Sequence, residues 1–271
     1  MKFTKMQGLG NDYLYFHEEV PADVSKLSIL LSDRHYGIGA DGLIYITHSD
    51  IADFGMRIFN ADGSEALMCG NGIRCVGRYI YDKGLSDKTD LNIETRSGIR
   101  RLRLDVQEGK VTSVSVNMGK IKVSSCREIA VQGQAYTLYP VSTGNPHAVI
   151  FTDEEGLCLP EKVGSDNEHY PLFPGGVNCE FVSLRPDGTL RMRVWERGSG
   201  VTMACGTGAC ASAAAAVFTG RASAEKPVYV ELDGGILEFR LEDGDFWMKG
   251  PAEFVYEAEI EMEGGKTACA A

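Results

Sequence analysis

Short apolar runs and alternating apolar and polar residues cover most of the chain, and this period of two is typical of β-strands. Turn residues such as Ser97-Gly98 and Pro186-Asp187-Gly188 separate the runs. The pattern predicts two strands joined by a turn at Gly8–Gly10 within 2–16, and further strands over 43–47, 54–60, 91–95, 99–104, 111–118, 129–131, 135–140, 147–151, 178–184, 190–196, 228–232, 236–241, 246–250 and 254–262.

Three segments favour helix instead. Residues 21–32 carry Val24, Leu27 and Leu31 at helical spacing, 72–83 carry Ile73, Val76 and Ile80, and 208–218 are rich in alanine. Residues 153–176 are polar and poorly periodic, and we expect irregular chain there and again from Gly264 onward. The predicted class is α/β or α+β, with β-rich halves that each contain one main helix.

The two halves of the sequence repeat each other. Residues 56–74 align without a gap on 192–210 at an offset of 136 positions, which places Met56-Arg57 on Met192-Arg193, Phe59 on Trp195, Cys69 on Cys205, Gly70 on Gly206 and Gly72 on Gly208. Gly10-Asn11 and Gly144-Asn145 repeat at nearly the same offset. We infer two copies of one unit, with a boundary near Gly119 and a Cys-Gly-x-Gly turn in each.

Composition and charge narrow the function classes. The chain has 44% hydrophobic and 24% charged residues, which is typical of globular proteins. Its net charge of −11 argues against a nucleic-acid surface. No run of eighteen apolar residues predicts a membrane span, and the N-terminus lacks the apolar region of a signal peptide. The eight cysteines are therefore expected to be free thiols in a reducing cytoplasm.

A cysteine ahead of Gly-x-Gly at a helix start suggests acid–base chemistry. The glycines allow a tight turn, and the unsatisfied N–H groups of the helix start form an anion site. A thiolate there should be stabilised, so the pKa of Cys69 and of Cys205 is expected to fall. If both turns face one ligand, one thiolate can remove a proton from carbon while the opposite thiol returns one to the other face.

Other uses of these cysteines are less favoured. The spacing of Cys69 from Cys75, and of Cys205 from Cys210, is wider than most zinc sites use and has no histidine nearby, so no metal is predicted. Cys75 and Cys210 are expected to be buried structural residues. No nucleotide-binding motif is present, and no cofactor is predicted.

Taken together, the motifs resemble the diaminopimelate epimerase family almost from end to end. They are G-L-G-N-D-Y at 8–13, G-I-G-A-D-G at 37–42, R-I-F-N-A-D-G-S-E at 57–65, M-C-G-N-G-I-R-C at 68–75, S-T-G-N-P-H at 142–147, V-N at 177–178, W-E-R-G-S-G at 195–200 and A-C-G-T-G-A-C at 204–210. Any one of these motifs is weak, but the full set in this order is highly specific.

The resemblance implies a pyridoxal-independent enzyme that interconverts LL- and meso-2,6-diaminoheptanedioate for lysine and cell-wall precursors. It implies two pseudo-symmetric β-barrel-like domains, each around a central helix, with the active site in the cleft between them. These would be residues 1–119, with a returning strand at 251–263, and residues 120–250. The family is commonly homodimeric, and we expect a small-molecule substrate with no nucleic-acid or membrane partner.

The resemblance also implies roles for residues that match the family motifs. Cys69 and Cys205 would be the two acid–base thiols, and His147 and Glu196 would tune them. Substrate would be bound by ten residues, Glu196 again among them: Asn11, Asn60, Gly70, Asn71, Asn145, Asn178, Glu196, Arg197, Gly206 and Thr207. The chain departs from the family at Gly42, where many members carry a glutamine that contacts substrate, so that contact is lost or supplied by another residue.

Two alternative functions remain open from the sequence. A proline or hydroxyproline racemase, or a racemase of another amino acid, would share the fold and the cysteine pair, although Asn71 and the Trp-Glu-Arg-Gly run favour the epimerase over the proline-type relatives. A non-catalytic binding or redox-sensing protein could instead use the two thiols as a switch.

Overall fold

The computed structural model describes residues 1–263 and 266–268. The chain divides into two compact units, one formed by Met1–Val116 with the C-terminal residues from Pro251, the other by Asn117–Gly250. Strands are the commonest regular element among the described residues, and the described chain contains four α-helices. The predicted mixed α/β class is confirmed.

The elements up to residue 119 belong to the first unit, except for the end of the last of these strands, which lies beyond Val116 in the second unit. They are β1 (Lys2–Gly8), β2 (Asn11–Phe16), α1 (Val24–Ser32), β3 (Gly42–Thr47), β4 (Phe54–Asn60), β5 (Glu65–Ala66), α2 (Gly70–Asp82), β6 (Asp90–Thr95), β7 (Gly98–Gln107) and β8 (Lys110–Gly119).

The second unit contains ten further strands and two helices, and three short strands complete the chain. The elements are β9 (Lys122–Val123), β10 (Arg127–Val131), β11 (Gln134–Ser142), β12 (Pro146–Thr152), a 3-10 turn (Glu155–Cys158), α3 (Leu159–Glu168), β13 (Asn178–Leu184), β14 (Leu190–Glu196), β15 (Gly200–Val201), α4 (Gly206–Phe218), β16 (Val228–Leu232), β17 (Gly235–Glu242), β18 (Asp245–Gly250), β19 (Glu253–Glu259), β20 (Glu261–Glu263) and β21 (Lys266–Ala268).

The two units have the same strand order. In the first, strands pair as β19-β1-β2-β3-β4-β6-β7-β8, with β2–β3 and β4–β6 parallel. In the second, strands pair as β10-β11-β12-β13-β14-β16-β17-β18, with β12–β13 and β14–β16 parallel. The repeat that the sequence shows is therefore a repeat of topology.

In each unit, one helix packs on each face of the strands. Because side chains alternate along a strand, consecutive residues contact different helices. In β3, Leu43 and Tyr45 join the apolar cluster beneath α1, whereas Ile44 points to the start of α2. In β13, Cys179 and Phe181 join the cluster beneath α3, whereas Glu180 points to the start of α4. The helices α2 and α4 thus occupy corresponding positions in their units.

Small residues allow the central helices to lie close to the strands. A Cβ at Gly77 of α2 would lie 2.8 Å from Cδ2 of Leu102 and 3.0 Å from Cδ2 of Leu104. Helix α4 uses alanine instead, and Ala209, Ala211, Ala213 and Ala215 are all fully buried. Because protein interiors are close-packed, larger residues at these positions would force the helix or the neighbouring side chains to shift.

Several predicted boundaries were wrong. Helix α1 begins at Val24 rather than Pro21, and α2 and α4 each begin two residues earlier than predicted, because the preceding cysteine caps the helix. The segment 153–176, predicted to be irregular, contains α3 and a 3-10 turn. Helix α3 is stabilised by packing on β13 and β14 rather than by a strong periodic pattern of its own.

The prediction of irregular chain from Gly264 onward can be compared with the structure only in part. Lys266–Ala268 pairs with Glu261–Glu263, so the chain immediately beyond Gly264 is not wholly irregular. Residues 264–265 and 269–271, Cys269 among them, lie outside the described residues. Within the described part of the chain, no helix is long and apolar enough to cross a lipid bilayer.

Candidate active site

In the first unit, the predicted site residues gather at one edge of the sheet. Asn11 is the first residue of β2, and Asn60, the last residue of β4, pairs with Gly42 at the start of β3. Because β2 and β3 run parallel and β4 runs antiparallel to them, all three ends lie at the same edge. The Cys69 thiol contacts Oδ1 of Asn11 at 3.4 Å, which joins the start of α2 to this edge.

Cys69 is the capping residue of α2. Its backbone is extended (φ −135°, ψ 117°), and its Sγ accepts the Gly72 N–H at 3.3 Å. Gly72 allows a close approach, because a Cβ there would lie 2.6 Å from Cδ1 of Ile44 and that side chain would have to move. Gly70 and Asn71 form the first turn of the helix, where backbone N–H groups have no partner within the helix.

The predicted fall in the pKa of Cys69 was wrong. Burial raises the pKa of this thiol, and the Gly72 and Asn71 N–H groups, the Tyr13 hydroxyl and the Arg74 guanidinium only partly oppose that rise. The helix start does favour the thiolate, as the turn chemistry indicates, but loss of solvation acts more strongly on the charge.

The second unit repeats this arrangement at the corresponding edge. Asn145 precedes β12, Asn178 begins β13 and Glu196 ends β14. Asn178 donates from Nδ2 to the Pro146 carbonyl at 3.1 Å, and its Oδ1 accepts the Arg197 N–H at 2.9 Å. The buried Asn178 amide therefore ties the starts of β12 and β13 to the end of β14.

Cys205 caps α4 in the same way as Cys69 caps α2. Its Sγ accepts the Gly208 N–H at 3.4 Å and lies 3.5 Å from Oγ1 of Thr207. Gly206 and Thr207 form the first turn of the helix. The Cys205 side chain is more deeply buried than Cys69, with 5% of the residue exposed.

The pKa of Cys205 is raised well above its usual range, so the predicted fall was wrong here as well. Burial is the largest cause, and the nearby Glu196 and Glu180 carboxyl groups add to it, while Thr207 and the Gly208 N–H oppose it. The two thiols thus differ in charged neighbours: Arg74 faces Cys69, whereas two glutamates face Cys205.

His147 contacts a carboxyl group that the sequence analysis missed. Its Nδ1 lies 2.6 Å from Oε1 of Glu180 and its Nε2 lies 3.2 Å from Oδ1 of Asn145; His147 and Glu180 both have 0% exposed surface. His147 is thereby hydrogen-bonded to Glu180, which is one of the carboxyl groups that raise the pKa of Cys205. The repeat offset of 136 could have singled out Glu180, because it aligns this glutamate with the apolar Ile44.

The remaining predicted residues lie at the end of β14 and in the loop that follows it. The Thr202 hydroxyl donates to Oε1 of Glu196. Arg197 is exposed, and its Nη1 donates to the Gly175 carbonyl at 3.0 Å. Glu168 of α3, another residue the sequence analysis missed, accepts Nε1 of Trp195 at 2.7 Å and the Gly198 N–H at 3.0 Å, so it anchors the loop that carries Arg197.

Position 42 has no room for the glutamine that many family members carry there. A Cβ at Gly42 would lie 2.1 Å from the Phe59 carbonyl oxygen and 3.0 Å from Cε1 of Tyr13, and the backbone has φ +157°. A side chain here would require a different path of β3 or β4. No side chain extends from position 42 to take the place of that glutamine.

The remaining described cysteines are free thiols. Cys75 and Cys210 have 0% exposed surface, in agreement with their predicted burial, whereas Cys126 and Cys158 are exposed. Among the described residues, no three or more His, Cys, Asp or Glu side chains are grouped so that they could hold a metal ion.

Burial of Cys75 predicts a loss of stability at alkaline pH. Burial raises the pKa of this thiol to about 11, against the lowering effect of the Tyr15 hydroxyl, whereas a thiol in an unfolded chain titrates near ~8.5. Between these values the unfolded chain releases a proton that the folded chain keeps. The free energy of unfolding should therefore fall as pH rises from about 8.5 to about 11, by at most about 1.4 kcal/mol per pH unit from this residue.

Urea titrations at pH 8, 9 and 10 and constant ionic strength measure this slope. The substitution Cys75→Ala should make the slope shallower, whatever its effect on stability at pH 8; part of the slope should remain, because burial also raises the pKa of Cys179, Cys205 and Cys210. Cys126→Ala, at an exposed cysteine, is the matched control and should leave the slope unchanged. Equal slopes for Cys75→Ala and the unmodified chain would contradict the assignment.

Comparison with known proteins identifies the family. The family model described as "Diaminopimelate epimerase" matches residues 3–124 and 139–255. Proteins named diaminopimelate epimerase are 50% identical in Phocaeicola vulgatus and 46% identical in Acetivibrio thermocellus, with 97% of this chain and 99% of each relative covered. One from Methanococcus maripaludis is 46% identical, with 97% of this chain and its whole length covered.

Solved structures of lower identity share the fold. A phenazine biosynthesis protein of the PhzF family from Bacillus anthracis aligns with a TM-score of 0.75 at 16% identity, covering 95% of this chain and 98% of that one. A probable proline racemase from Agrobacterium radiobacter aligns with a TM-score of 0.72 at 17% identity, covering 97% and 93%. At these identities the likeness concerns the fold, whereas the near-full-length matches near 50% identity decide the family: the chain belongs to the diaminopimelate epimerases, which are isomerases.

Proposed function

We propose that this chain interconverts LL- and meso-2,6-diaminoheptanedioate by a two-base transfer of the proton at one α-carbon, with Cys69 and Cys205 as the acid–base pair. The observation that carries the proposal is the duplicated cysteine cap. In each of two units with the same topology, a cysteine Sγ accepts the N–H of the glycine three residues later, at the start of the central helix. The relatives that match nearly the whole chain are named for this activity.

In the proposed reaction one cysteine is a thiolate and the other a thiol. The thiolate removes the α-proton from one face, and the opposite thiol delivers a proton to the other face, which inverts the carbon. The roles of the two sulfurs exchange in the reverse direction. A pair of equal chemical groups suits a reaction between isomers of similar energy, and the pair titrates as a coupled unit.

The difficult step is removal of a proton from carbon next to a carboxylate. The α-carboxylate gains enolate character as the proton leaves, and preorganised donors can stabilise that charge. The first-turn N–H groups of α2 and α4, at Gly70-Asn71 and Gly206-Thr207, are suited to this role because helix starts bind anions. This stabilisation needs no cofactor.

The polar side chains at the sheet edge of each unit would bind the remaining groups of the substrate. Asn11, Asn60, Asn145 and Asn178 would bind amino and carboxylate groups, and Glu196 would pair with an ammonium. Arg197 would bind the distal carboxylate, because a guanidinium matches a carboxylate with two parallel hydrogen bonds. Its exposure and its position on a loop held by Glu168 are compatible with binding a flexible, charged substrate.

The cellular setting is part of the proposal. The product would serve lysine and cell-wall precursor synthesis, and the free described cysteines suit a reducing cytoplasm. A homodimer is proposed from the family resemblance, and sedimentation equilibrium at several concentrations tests it. A chain that stays monomeric at every concentration would remove the dimer from the proposal without affecting the chemistry.

Incubation with LL-2,6-diaminoheptanedioate in deuterium oxide tests the function. We expect the meso isomer to appear with deuterium at the inverted carbon, because the delivered proton comes from a thiol that has exchanged with solvent. The dialysed enzyme should need no added pyridoxal phosphate. L-Proline and trans-4-hydroxy-L-proline serve as comparison substrates and should show no exchange. Exchange into proline but not into diaminoheptanedioate would assign the chain to the rival racemase activity.

A further inference from the structure

Glu180 occupies a position where the fold does not require a polar group. In the first repeat the corresponding residue is Ile44, whose Cδ1 faces Gly72 at the start of α2. In the second repeat, the place that a Cβ of Gly208 would occupy lies 2.7 Å from Oε1 of Glu180 and 3.2 Å from Sγ of Cys205. A carboxyl group with 0% exposure at such a position costs free energy unless it is hydrogen-bonded.

The hydrogen bonds of Glu180 lead to a proposed substrate-binding residue. Oε1 contacts Nδ1 of His147 at 2.6 Å, and Nε2 of His147 contacts Oδ1 of Asn145 at 3.2 Å. The Thr143 hydroxyl donates to the same Asn145 oxygen at 2.8 Å. Among the described residues, Oε2 of Glu180 has no hydrogen-bond partner. All four residues belong to the second unit.

The hydrogen-bond acceptors among these residues determine how many protons the His147–Glu180 pair holds. Oδ1 of Asn145 is an acceptor, so Nε2 of His147 must carry a proton to bond with it. His147 is then either doubly protonated beside a carboxylate, or neutral with a bare Nδ1 that accepts from protonated Glu180. Both descriptions place a single proton between Nδ1 and Oε1. Burial raises the pKa of Glu180, against the effect of His147, which agrees with a shared proton and a pair without net charge.

These hydrogen bonds determine the orientation of the Asn145 amide. With Oδ1 held by His147 and Thr143, the Nδ2 group is the end of the amide left to bind a ligand. Asn145 and His147 line an open cavity together with Ser142 and Phe173. An amide held in this way presents N–H donors, which bind a carboxylate and not an ammonium group.

We propose that Glu180 is a positioning residue: by sharing one proton with His147 it keeps Nε2 of His147 a donor to Asn145, and so presents the Asn145 amide N–H groups to a substrate carboxylate. This inference rests on the proposed function for the identity of the substrate. The proton positions on Glu180 and His147 are inferred only from contacts within the second unit.

Two substitutions at one position separate positioning from packing. In Glu180→Gln the amide N–H can donate to Nδ1 of His147, so the Nε2–H form is kept. Glu180→Ile introduces the residue that the first repeat carries at this place, which offers no hydrogen bond. We expect KM for diaminoheptanedioate to stay within about threefold in Glu180→Gln and to rise about tenfold or more in Glu180→Ile, since loss of one hydrogen bond to a charged group is of this size. The change in kcat should be similar in the two variants, because both remove the carboxyl group that raises the pKa of Cys205. Glu225→Gln, at an exposed glutamate, is the matched control.

Nitrogen NMR of ¹⁵N-histidine-labelled enzyme gives a readout that packing would not change. In the unmodified protein and in Glu180→Gln, the His147 signal should report a protonated Nε2 near neutral pH, and the unmodified protein should show a strongly deshielded proton at Nδ1. A bare Nε2 would overturn the proposal, as would equal KM values in the two variants. If Glu180→Ile does not fold, the NMR result decides. An enzyme inactive on diaminoheptanedioate would refute the proposed function and leave the NMR result to decide the role of Glu180.

Discussion

Replacement of either Cys69 or Cys205 by alanine is expected to reduce epimerisation by about 10²–10⁴-fold, the range that a positioned acid or base contributes. Each direction of the reaction needs one sulfur to accept a proton and the other to donate one, so a single remaining cysteine cannot complete inversion. Both side chains sit at helix caps, where alanine loses one contact from a backbone N–H to sulfur. We therefore expect both variants to fold.

The measurement is the rate of formation of the meso isomer from the LL isomer by chiral chromatography. Cys126→Ala is the matched control, because Cys126 is exposed, and it should keep full activity. Circular dichroism and thermal unfolding confirm that the inactive variants are folded. If either Cys69→Ala or Cys205→Ala retained more than about a tenth of the activity, the two-base mechanism would have to be abandoned.

Mild oxidation is expected to inactivate the enzyme completely and reversibly by joining Cys69 to Cys205. In the proposed reaction each sulfur approaches the same carbon to about 3–3.5 Å, and from that proposal we expect the two sulfurs to form a disulfide when no substrate is bound. Because the pKa of both thiols is raised and the thiolate is the reactive form, inactivation should be faster at alkaline than at neutral pH.

Differential alkylation followed by peptide mass spectrometry measures the expected link. The peptides of Cys69 and Cys205 should appear as one disulfide-linked species, and a thiol reductant should restore both free cysteines and activity. Cys126→Ala should behave like the unmodified chain, which excludes the exposed thiol as the cause. An oxidised, inactive sample in which both Cys69 and Cys205 can still be alkylated would count against their apposition.

Much of the fold and family could be predicted from the sequence. The period of two located most strands, since a half-buried strand alternates its side chains. The alignment of 56–74 on 192–210 predicted that each half repeats one topology, and the strand order of the two units agrees with that prediction. The family prediction, based on motifs spread over the whole chain, is confirmed by the matching of residues 3–124 and 139–255.

Helix boundaries and weakly patterned elements could not be read in this way. The pattern of α3 is obscured because one of its contacts is made by a glycine: a Cβ at Gly164 would lie 2.6 Å from the Trp195 ring. The early start of α2 depends on a thiol acting as a cap, which is not one of the usual capping side chains. Such elements depend on their neighbours more than on local propensity.

The sequence by itself determined the duplicated architecture and the family, because both depend on residue identity and order along the chain. The tertiary structure decided the electrostatics of the site, because the pKa of a thiol depends on how much water and which charges surround it. At Cys69 and Cys205, burial raises the thiol pKa more than the helix-start N–H groups lower it. Folding also brings Glu180, which the sequence analysis did not select, beside His147. It also closes position 42 to any side chain. These are properties of packing between residues distant in the chain, and no local pattern encodes them.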